Sequence, residues 1–221
     1  MRGEVNAVLL DVDGTLIDSN DAHAQAWVDA GAEFGHEIEF QRVRRLVGMG
    51  GDKVLPRVTG LEEDSEEGER LVERRGEIFR ERYLPKLSAF PGAVDLVERL
   101  RSNGLTLVVA TSASEEDLEP LLAQAGLSFL GGLATNSDDA EESKPAPDIV
   151  EAALEKTGVD ASHVVMIGDT PYDVEAAGRA GVRIIGLRCG GWSDEELRGA
   201  AEVYADPADL LRRYDQSLLA G

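Results

Sequence analysis

Four short stretches of almost unbroken apolar residues recur along the chain. They are "AVLL" (7–10), "LTLVVA" (105–110), "HVVMIG" (163–168) and "VRIIGL" (182–187). None alternates apolar with polar positions, as a strand with one solvent-exposed face would. The pattern predicts strands of a parallel sheet that is covered on both of its faces.

Amphipathic helices are predicted between these strands. The stretch "GAVDLVERLRSNG" places Ala93, Leu96, Val97 and Leu100 on one helical face. The stretch "SEEDLEPLLAQAG" repeats the pattern after Ser114, a candidate N-cap. Two more helical patterns, "PDIVEAALEKTG" and "PYDVEAAGRAG", precede and follow the third strand. Alternating strands and helices predict the α/β class, with a Rossmann-like, doubly wound parallel sheet.

One long segment, from about Ser19 to Leu87, breaks this alternation. It contains helical patterns such as "DAHAQAWVDAGAEFG" and "RLVERRGEIFRERYL" but no convincing strand, and its acidic run "EEDSEEGE" suits a solvated connection or a helix start. About 70 residues is far more than a crossover needs. We therefore predict an α-helical cap at residues 18–88, inserted into a core formed by residues 1–17 and 89–221.

Charge and composition narrow the classes of partner. The chain has 43 acidic residues against 22 Lys and Arg, which gives a net charge of -21. Such a surface repels nucleic acids and anionic membranes, but a small anionic substrate remains compatible where local cations bind it. The single cysteine, Cys189, and the lack of an apolar run of about 20 residues indicate a cytoplasmic protein without a membrane span. The sequence leaves a monomer and a homodimer equally open.

Polar and charged side chains follow three of the predicted strands directly. In a parallel sheet these strand ends meet at one edge, where ligands bind. Lys144 lies in the loop before the helix that precedes the third strand. The residues expected to meet at this edge are Asp11, Asp13, Thr111, Ser112, Lys144, Asp169 and Asp173.

A divalent cation explains why several carboxylates would gather there. Oxygen ligands completed by a substrate phosphate are what Mg²⁺ prefers. Lys144 and the hydroxyls of Thr111 and Ser112 would hold the other phosphate oxygens. Asp11 is then a nucleophile, and Asp13 can give a proton to the leaving oxygen and later take one from water.

These motifs, in this order, resemble those of the haloacid dehalogenase-like superfamily. The matching stretches are "DVDGT", "TS", "SKP" and "GDTPYD", and the helical insertion is similar to the cap of the branch with phosphoglycolate phosphatases and β-phosphoglucomutase. The resemblance implies a phosphorylated Asp11. It also implies Mg²⁺ bound by Asp11, the Asp13 backbone carbonyl and Asp169, with Asp173 behind them or ligating through a water.

Three residues of the predicted cap are candidates for substrate or closure roles. His23 stands where, in β-phosphoglucomutase, a histidine couples cap closure to the acid/base aspartate; an interface histidine beside Trp27 is an equal alternative. Arg45 and Lys53 flank a glycine-rich turn and are candidates for contacting a distal anionic group of the substrate. Ordinary solvated helix charges are the favoured alternative for these two.

The predicted function is Mg²⁺-dependent hydrolysis of a small phosphate monoester, with a small phosphorylated metabolite as the partner. A mutase of the β-phosphoglucomutase type is the alternative, but Gly50, Gly51 and Glu115 stand where that enzyme has cations for a second phosphate. A 2-haloacid dehalogenase would need neither Asp13 nor the "GDTPYD" motif. A non-catalytic binding domain would be expected to lack Asp11 or Asp13.

Overall fold

The computed structural model describes residues 4–220 of the chain. Residues 1–3 and 221, which belong to the predicted core, lie outside the described residues. A parallel sheet of six strands, in the order β3-β2-β1-β4-β5-β6, forms the centre of the protein. The strands are β1 (Ala7–Leu10), β2 (Thr106–Ala110), β3 (Ala134–Thr135), β4 (Val164–Gly168), β5 (Arg183–Leu187) and β6 (Glu202–Tyr204).

The predicted Rossmann-like α/β class is confirmed. The four predicted strands correspond to β1, β2, β4 and β5, with their bounds shifted by at most one residue. The edge strands β3 and β6 were not predicted, because runs of two and three residues carry no readable period. Each edge strand pairs with one neighbour only.

Both faces of the sheet are buried, which explains the unbroken apolar runs. Val8 and Leu10 of β1 point into the larger hydrophobic cluster, on one face of the sheet. Ala7 and Leu9 point into a smaller cluster on the opposite face. Successive residues of one strand therefore meet different helices, and all four positions of β1 are fully buried.

Helices cover the sheet and make up the long insertion. Ser65 caps α4 by accepting a hydrogen bond from the Gly68 N–H, so part of the acidic run is a helix start.

No helix within residues 4–220 has the length and hydropathy needed to cross a bilayer. The helices are α1 (Asn20–Glu33), α2 (Phe40–Arg44), α3 (Gly51–Thr59), α4 (Glu66–Ile78), α5 (Ala93–Ser102), α6 (Glu115–Gln124), α7 (Asp148–Thr157), α8 (Pro171–Arg179) and α9 (Pro207–Arg212).

The predicted N-cap position of α6 is confirmed, but not through a side-chain hydrogen bond of Ser114. Ser114 occupies the N-cap position, but its hydroxyl makes no capping hydrogen bond. The carboxylate of Asp138 takes this role and accepts from the Glu115 N–H at 3.0 Å. The sequence could not show that Asp138 caps this helix, because Asp138 lies 23 residues away in the chain.

Helices α1 to α4 and the two short helical turns that follow them, Phe79–Tyr83 and Leu84–Lys86, lie between β1 and α5 in the chain. We call residues 20–86 the helical segment. Its two connections to the sheet run side by side. The Asp18 N–H donates to the Ser88 carbonyl at 3.1 Å, and the Phe90 N–H donates to the Leu16 carbonyl at 2.9 Å. Apolar residues of the segment join the larger cluster of the sheet. The separate cap with bounds at 18 and 88 stays a prediction.

Candidate functional site

The chain turns sharply where β1 ends, and this turn brings distant polar groups together. Gly14 has a φ of 77°, in the left-handed region that favours glycine. A Cβ there would lie 2.2 Å from Asn20 Nδ2 and 2.3 Å from Asp169 Oδ2. Only glycine therefore permits both the turn and the close approach of Asp169.

Three buried carboxylates form a cluster at the carboxyl ends of β1 and β4. Asp11, Asp169 and Asp173 each offer an oxygen within 4.8 Å of the others. The Thr15 hydroxyl lies 2.9 Å from Asp11 Oδ2 and 3.0 Å from Asp169 Oδ1. The Asn20 amide donates to Asp169 Oδ2 at 3.1 Å. The Asp13 side chain is not a member of this cluster.

Lys144 is fully buried against two of these carboxylates. Its Nζ lies 2.7 Å from Asp11 Oδ1, 2.7 Å from Asp173 Oδ1 and 2.8 Å from the Ala110 carbonyl oxygen. Burial alone would lower the pKa of Lys144, but Asp11 and Asp173 raise it above its ordinary value. The ammonium group therefore stays charged and orients the Asp11 carboxylate.

One lysine does not neutralise three buried carboxylates. Burial raises the pKa of Asp11 to about 7, with Lys144 opposing the shift and Asp173 adding to it. Burial, Asp11 and Asp173 raise the pKa of Asp169 well above its ordinary value. The cluster therefore carries negative charge that Lys144 does not compensate, and a further cation would be bound favourably there. Its oxygen donors are those that Mg²⁺ prefers.

The two hydroxyls after β2 have different surroundings, although both residues line the same cavity. The Thr111 hydroxyl accepts a hydrogen bond from the Ala113 N–H at 3.1 Å. The Ser112 hydroxyl oxygen is buried and has no hydrogen-bond partner among the described residues. Ser112 is therefore the better candidate for holding a phosphate oxygen.

Asp13 takes part in a separate network that crosses into the helical segment. Its Oδ1 lies 2.8 Å from His23 Nε2, and Ser19 donates to the same carboxylate. Arg75 contacts His23 Nδ1 at 2.5 Å and donates to Asp117 at 3.0 Å. Because a guanidinium only donates, Nδ1 accepts and Nε2 carries the hydrogen toward Asp13. Burial would raise the pKa of Asp13, but His23 and Ser19 outweigh it and lower that pKa.

Arg45 and Lys53 lie outside the cavity wall. Arg45 forms an ion pair with Glu196, and its guanidinium lies 4.2 Å from the ring centroid of Trp192. Lys53 Nζ lies 3.2 Å from a Glu142 carboxylate oxygen and donates to the Ser143 carbonyl oxygen. Both residues join the helical segment to loops outside the strands, which favours ordinary ion pairs over a substrate contact.

The space between the sheet edge and the helical segment is a cavity of about 510 Å³. Its floor includes Asp11, Asp13 and Ser112, and its opposite side includes Trp27 and Met49. The Cys189 thiol donates to the Gly14 carbonyl oxygen, and burial and Asp169 raise its pKa. A cysteine with a raised pKa is a poor nucleophile, so the reactive groups of this site are the carboxylates.

Several residues of the site were not predicted from the sequence. Thr15 lies within the "DVDGT" motif, so its position in the motif could have indicated that it belongs to the site. Arg75, Asp117 and Gly190 stand alone in unrelated stretches, and only the fold brings them to the site. Gly190 is required by space, because a Cβ there would lie 1.6 Å from Asp169 Oδ2.

The haloacid dehalogenase-like hydrolase family model matches residues 5–181 of the chain. The chain belongs to this family. The predicted resemblance and the prediction of an enzyme are thereby confirmed. The match includes every sequence motif that carried the resemblance and the whole of the helical segment.

Known haloacid dehalogenase-like hydrolases resemble the chain over most of its length. A probable phosphatase, IndB, from Dickeya dadantii is 31% identical, covering 87% of this chain and 85% of that protein. A phosphoglycolate phosphatase from Rhodospirillum rubrum is also 31% identical, with 92% and 88% covered. A putative β-phosphoglucomutase structure from Bacteroides vulgatus superimposes with a TM-score of 0.86 at 26% identity, covering 99% of this chain and 91% of that chain. The predicted branch is confirmed by these similarities.

Proposed function

We propose that the protein is a phosphatase that hydrolyses a small phosphate monoester through a phosphorylated Asp11. The observation that carries the proposal is the position of Asp11 itself. Its carboxylate belongs to the buried acidic cluster, contacts Lys144 and lines the cavity. The names of the relatives in Dickeya dadantii and Rhodospirillum rubrum support the same class of activity.

The donor set of the cluster fits a magnesium ion. Asp11 and Asp169 would hold it together with the Asp13 backbone carbonyl, and Asp173 would lie behind them, as the family resemblance implies. The raised pKa values of Asp11 and Asp169 support this assignment, because carboxylates that lack a counter-charge bind a cation favourably. Bound Mg²⁺ would supply positive charge between the nucleophile and the phosphate.

In the first step, an Asp11 carboxylate oxygen attacks phosphorus. A bond between Asp11 and phosphorus forms as the ester P–O bond breaks, and the leaving oxygen takes from Asp13 the proton that Asp13 received from water in the preceding turnover. Lys144 and Thr15 each hydrogen-bond one oxygen of Asp11 and so fix the orientation of the carboxylate. The Ser112 hydroxyl would hold one phosphate oxygen during this step.

In the second step, a water molecule attacks the phosphorus of phosphorylated Asp11. Asp13, now a carboxylate, takes the proton of that water. The bond between Asp11 and phosphorus breaks and inorganic phosphate leaves. His23 holds the Asp13 carboxylate through its Nε2 hydrogen, so the same group is positioned for both proton transfers.

Turnover of para-nitrophenyl phosphate by the purified protein tests this function. We expect Asp11→Asn to reduce kcat by at least about 1,000-fold, since the amide is not a nucleophile. EDTA should abolish turnover, and added Mg²⁺ should restore it. Acid quenching during turnover should leave one phosphoryl group on the peptide that contains residue 11, detected by mass spectrometry.

Asp18→Asn is the matched control, since Asp18 is exposed and lies seven residues from the nucleophile. It should retain normal turnover. Undiminished activity of Asp11→Asn, or phosphate trapped on another residue, would refute the assignment of the nucleophile.

The mutase alternative would need a second region that binds phosphate. In the described chain, the cationic side chains of the cavity wall are Arg75 and Arg80, and both contact Asp117. We therefore expect no glucose 6-phosphate from β-glucose 1-phosphate supplied with a trace of the bisphosphate. Formation of that product would favour the mutase.

A further inference from the structure

The wall of the cavity above the catalytic aspartates is strongly acidic. Its only arginine or lysine side chains, within residues 4–220, are Arg75 and Arg80. Both belong to the helical segment, and the cavity wall also contains many more carboxylates than these two guanidinium groups. A substrate that places its phosphate at Asp11 must therefore place its organic part among negative charges.

The two arginines do not offset this charge, because other groups already engage them. Arg75 and Arg80 both pair with Asp117, whose side chain is almost completely buried. Arg80 also lies 3.1 Å from a carboxylate oxygen of Glu116. Each guanidinium is thus neutralised within the wall itself, and neither is left for a second anionic group of the substrate.

Apart from the catalytic Asp11 and Asp13, which contact Lys144 and His23, the other acidic side chains of the wall have no basic side chain within 4.0 Å in the described part of the chain. A shallow depression beside the cavity shares two of them and is lined by acidic residues alone. Burial and Asp52 raise the pKa of Glu63, as expected for carboxylates close together without a counter-ion. The unpaired acidic residues are Asp52, Glu63, Glu73, Asp138 and Glu141.

An aromatic ring accompanies these carboxylates. Trp27 lines the cavity on the side of the helical segment. Its indole lies close to the start of α3, where a Cβ on Gly51 would be 4.0 Å from Trp27 Cζ2. Asp52 follows Gly51 in the sequence and also lines the cavity. Trp27 is buried and the Arg75 guanidinium lies 5.7 Å from its ring centroid, so a cation already accompanies this ring, and the unpaired carboxylates are the groups that would attract a further one.

We propose that the organic part of the substrate carries a positive charge, as a protonated amine or a quaternary ammonium group, and carries no second anion. This proposal rests on the phosphatase function proposed above. The ligand site is the catalytic cavity itself, and the acidic wall determines which phosphate esters it accepts. Phosphoglycolate, whose organic part ends in a carboxylate, would be a poor substrate for this chain.

Three phosphonates of similar size isolate the effect of charge. 3-Aminopropylphosphonate, butylphosphonate and 3-phosphonopropionate carry a cationic, a neutral and an anionic end, and none has an ester bond to hydrolyse. Each is tested as a competitive inhibitor of para-nitrophenyl phosphate turnover at one pH and low ionic strength. We expect the inhibition constant to rise about tenfold from the cationic to the neutral compound, and again to the anionic one. Any other order overturns the proposal.

A charge-neutral variant of the wall locates the effect. Glu73 and Glu141 are exposed and make no ion pair within the described chain, so Glu73→Gln with Glu141→Gln should fold normally. This double variant should reduce the ratio of the inhibition constants of the anionic and cationic compounds at least about threefold. An unchanged ratio would assign the selectivity elsewhere and overturn the role of the wall.

The matched control is Glu98→Gln with Glu119→Gln. These two residues are also exposed but do not line the cavity, so the net charge changes equally while the wall does not. The control should keep the wild-type ratio. The two proposals fail in different ways. If the proposed function is wrong, para-nitrophenyl phosphate is not hydrolysed through Asp11. If turnover is normal but the inhibitor order is flat or reversed, only the charge proposal is refuted.

Discussion

At the scale of single residues, Thr111 and Ser112 show what a sequence motif leaves open. The sequence places two hydroxyls after β2 and leaves their roles unsettled, although "TSAS" matches the family motif best if Ser112 takes its role. In the structure the Thr111 hydroxyl is engaged by the Ala113 N–H, whereas the Ser112 hydroxyl is buried without a partner in the described chain. A buried hydroxyl that has no partner in the protein is suited to a ligand oxygen.

Substituting Ser112 should change substrate binding, whereas substituting Thr111 should change stability. Ser112→Ala should raise KM for a phosphate monoester about 5–15-fold, the effect of one lost hydrogen bond, and leave Tm unchanged. Thr111→Val should lower the free energy of unfolding by about 1–2 kcal/mol, because it leaves the Ala113 N–H unpaired. Steady-state kinetics and thermal unfolding measure both. A Ser112→Ala variant with normal KM would return the phosphate contact to Thr111.

The acidic residues of the site were predictable because chemistry requires them at the ends of particular strands. Asp11 and Asp169 follow apolar runs directly, Asp173 lies one helical turn after Asp169, and the structure brings their oxygens together. Asp117 and Gly190 were not predictable. An aspartate at the start of a helix is typical of ordinary helix stabilisation, and the close approach of Gly190 to Asp169 exists only after folding.

At the scale of secondary-structure elements, α6 connects the sheet to the helical segment. Asp117 in the first turn of α6 accepts from Arg75 in α4 and from Arg80 in the π-helical turn that follows α4. Its side chain has 3% of its surface exposed, so both contacts are shielded from solvent. The pattern of helices was readable from the sequence, but this connection between them was not, because 37 or more residues separate the partners.

Neutralising Asp117 should weaken the connection between α6 and the helical segment. Asp117→Asn leaves two arginines without their shared carboxylate, so we expect a loss of about 3 kcal/mol in the free energy of unfolding, or a fall in Tm of about 6–12 °C. Thermal unfolding measures this change.

Glu116→Gln is the matched control for that variant. Glu116 also pairs with Arg80, but its side chain is 77% exposed, so its removal should change stability by less than about 1 kcal/mol. Equal effects of the two substitutions would contradict a special role of Asp117.

At the scale of the whole molecule, the net charge of -21 opposes compaction. The sequence determined this property completely, whereas the uneven distribution of the charge around the cavity needed the structure. The four central strands were predictable because burial on both faces produces long apolar runs. The edge strands β3 and β6 depend on pairing with one neighbour, which no local pattern records.

Salt should therefore stabilise the protein. Raising sodium chloride from about 20 mM to about 500 mM shortens the screening length to a few ångströms, and we expect Tm to rise by about 3–8 °C. Calorimetry without divalent cations measures the shift. Potassium chloride should act alike, since screening depends on ionic strength. A constant or falling Tm would mean that surface ion pairs outweigh the repulsion.

The paired connections at Asp18 and Ser88 have a consequence beyond this one chain. Because the helical segment leaves the sheet and returns to it at neighbouring backbone positions, its exchange for a homologous segment with matching apolar residues would leave β1 and α5 almost where they are. Recombination at the two ends of this stretch, codons 18 and 88, could then transfer the whole helical segment between homologous genes. Substrate preference in such proteins could change in one genetic event while the residues that cleave the ester stayed the same.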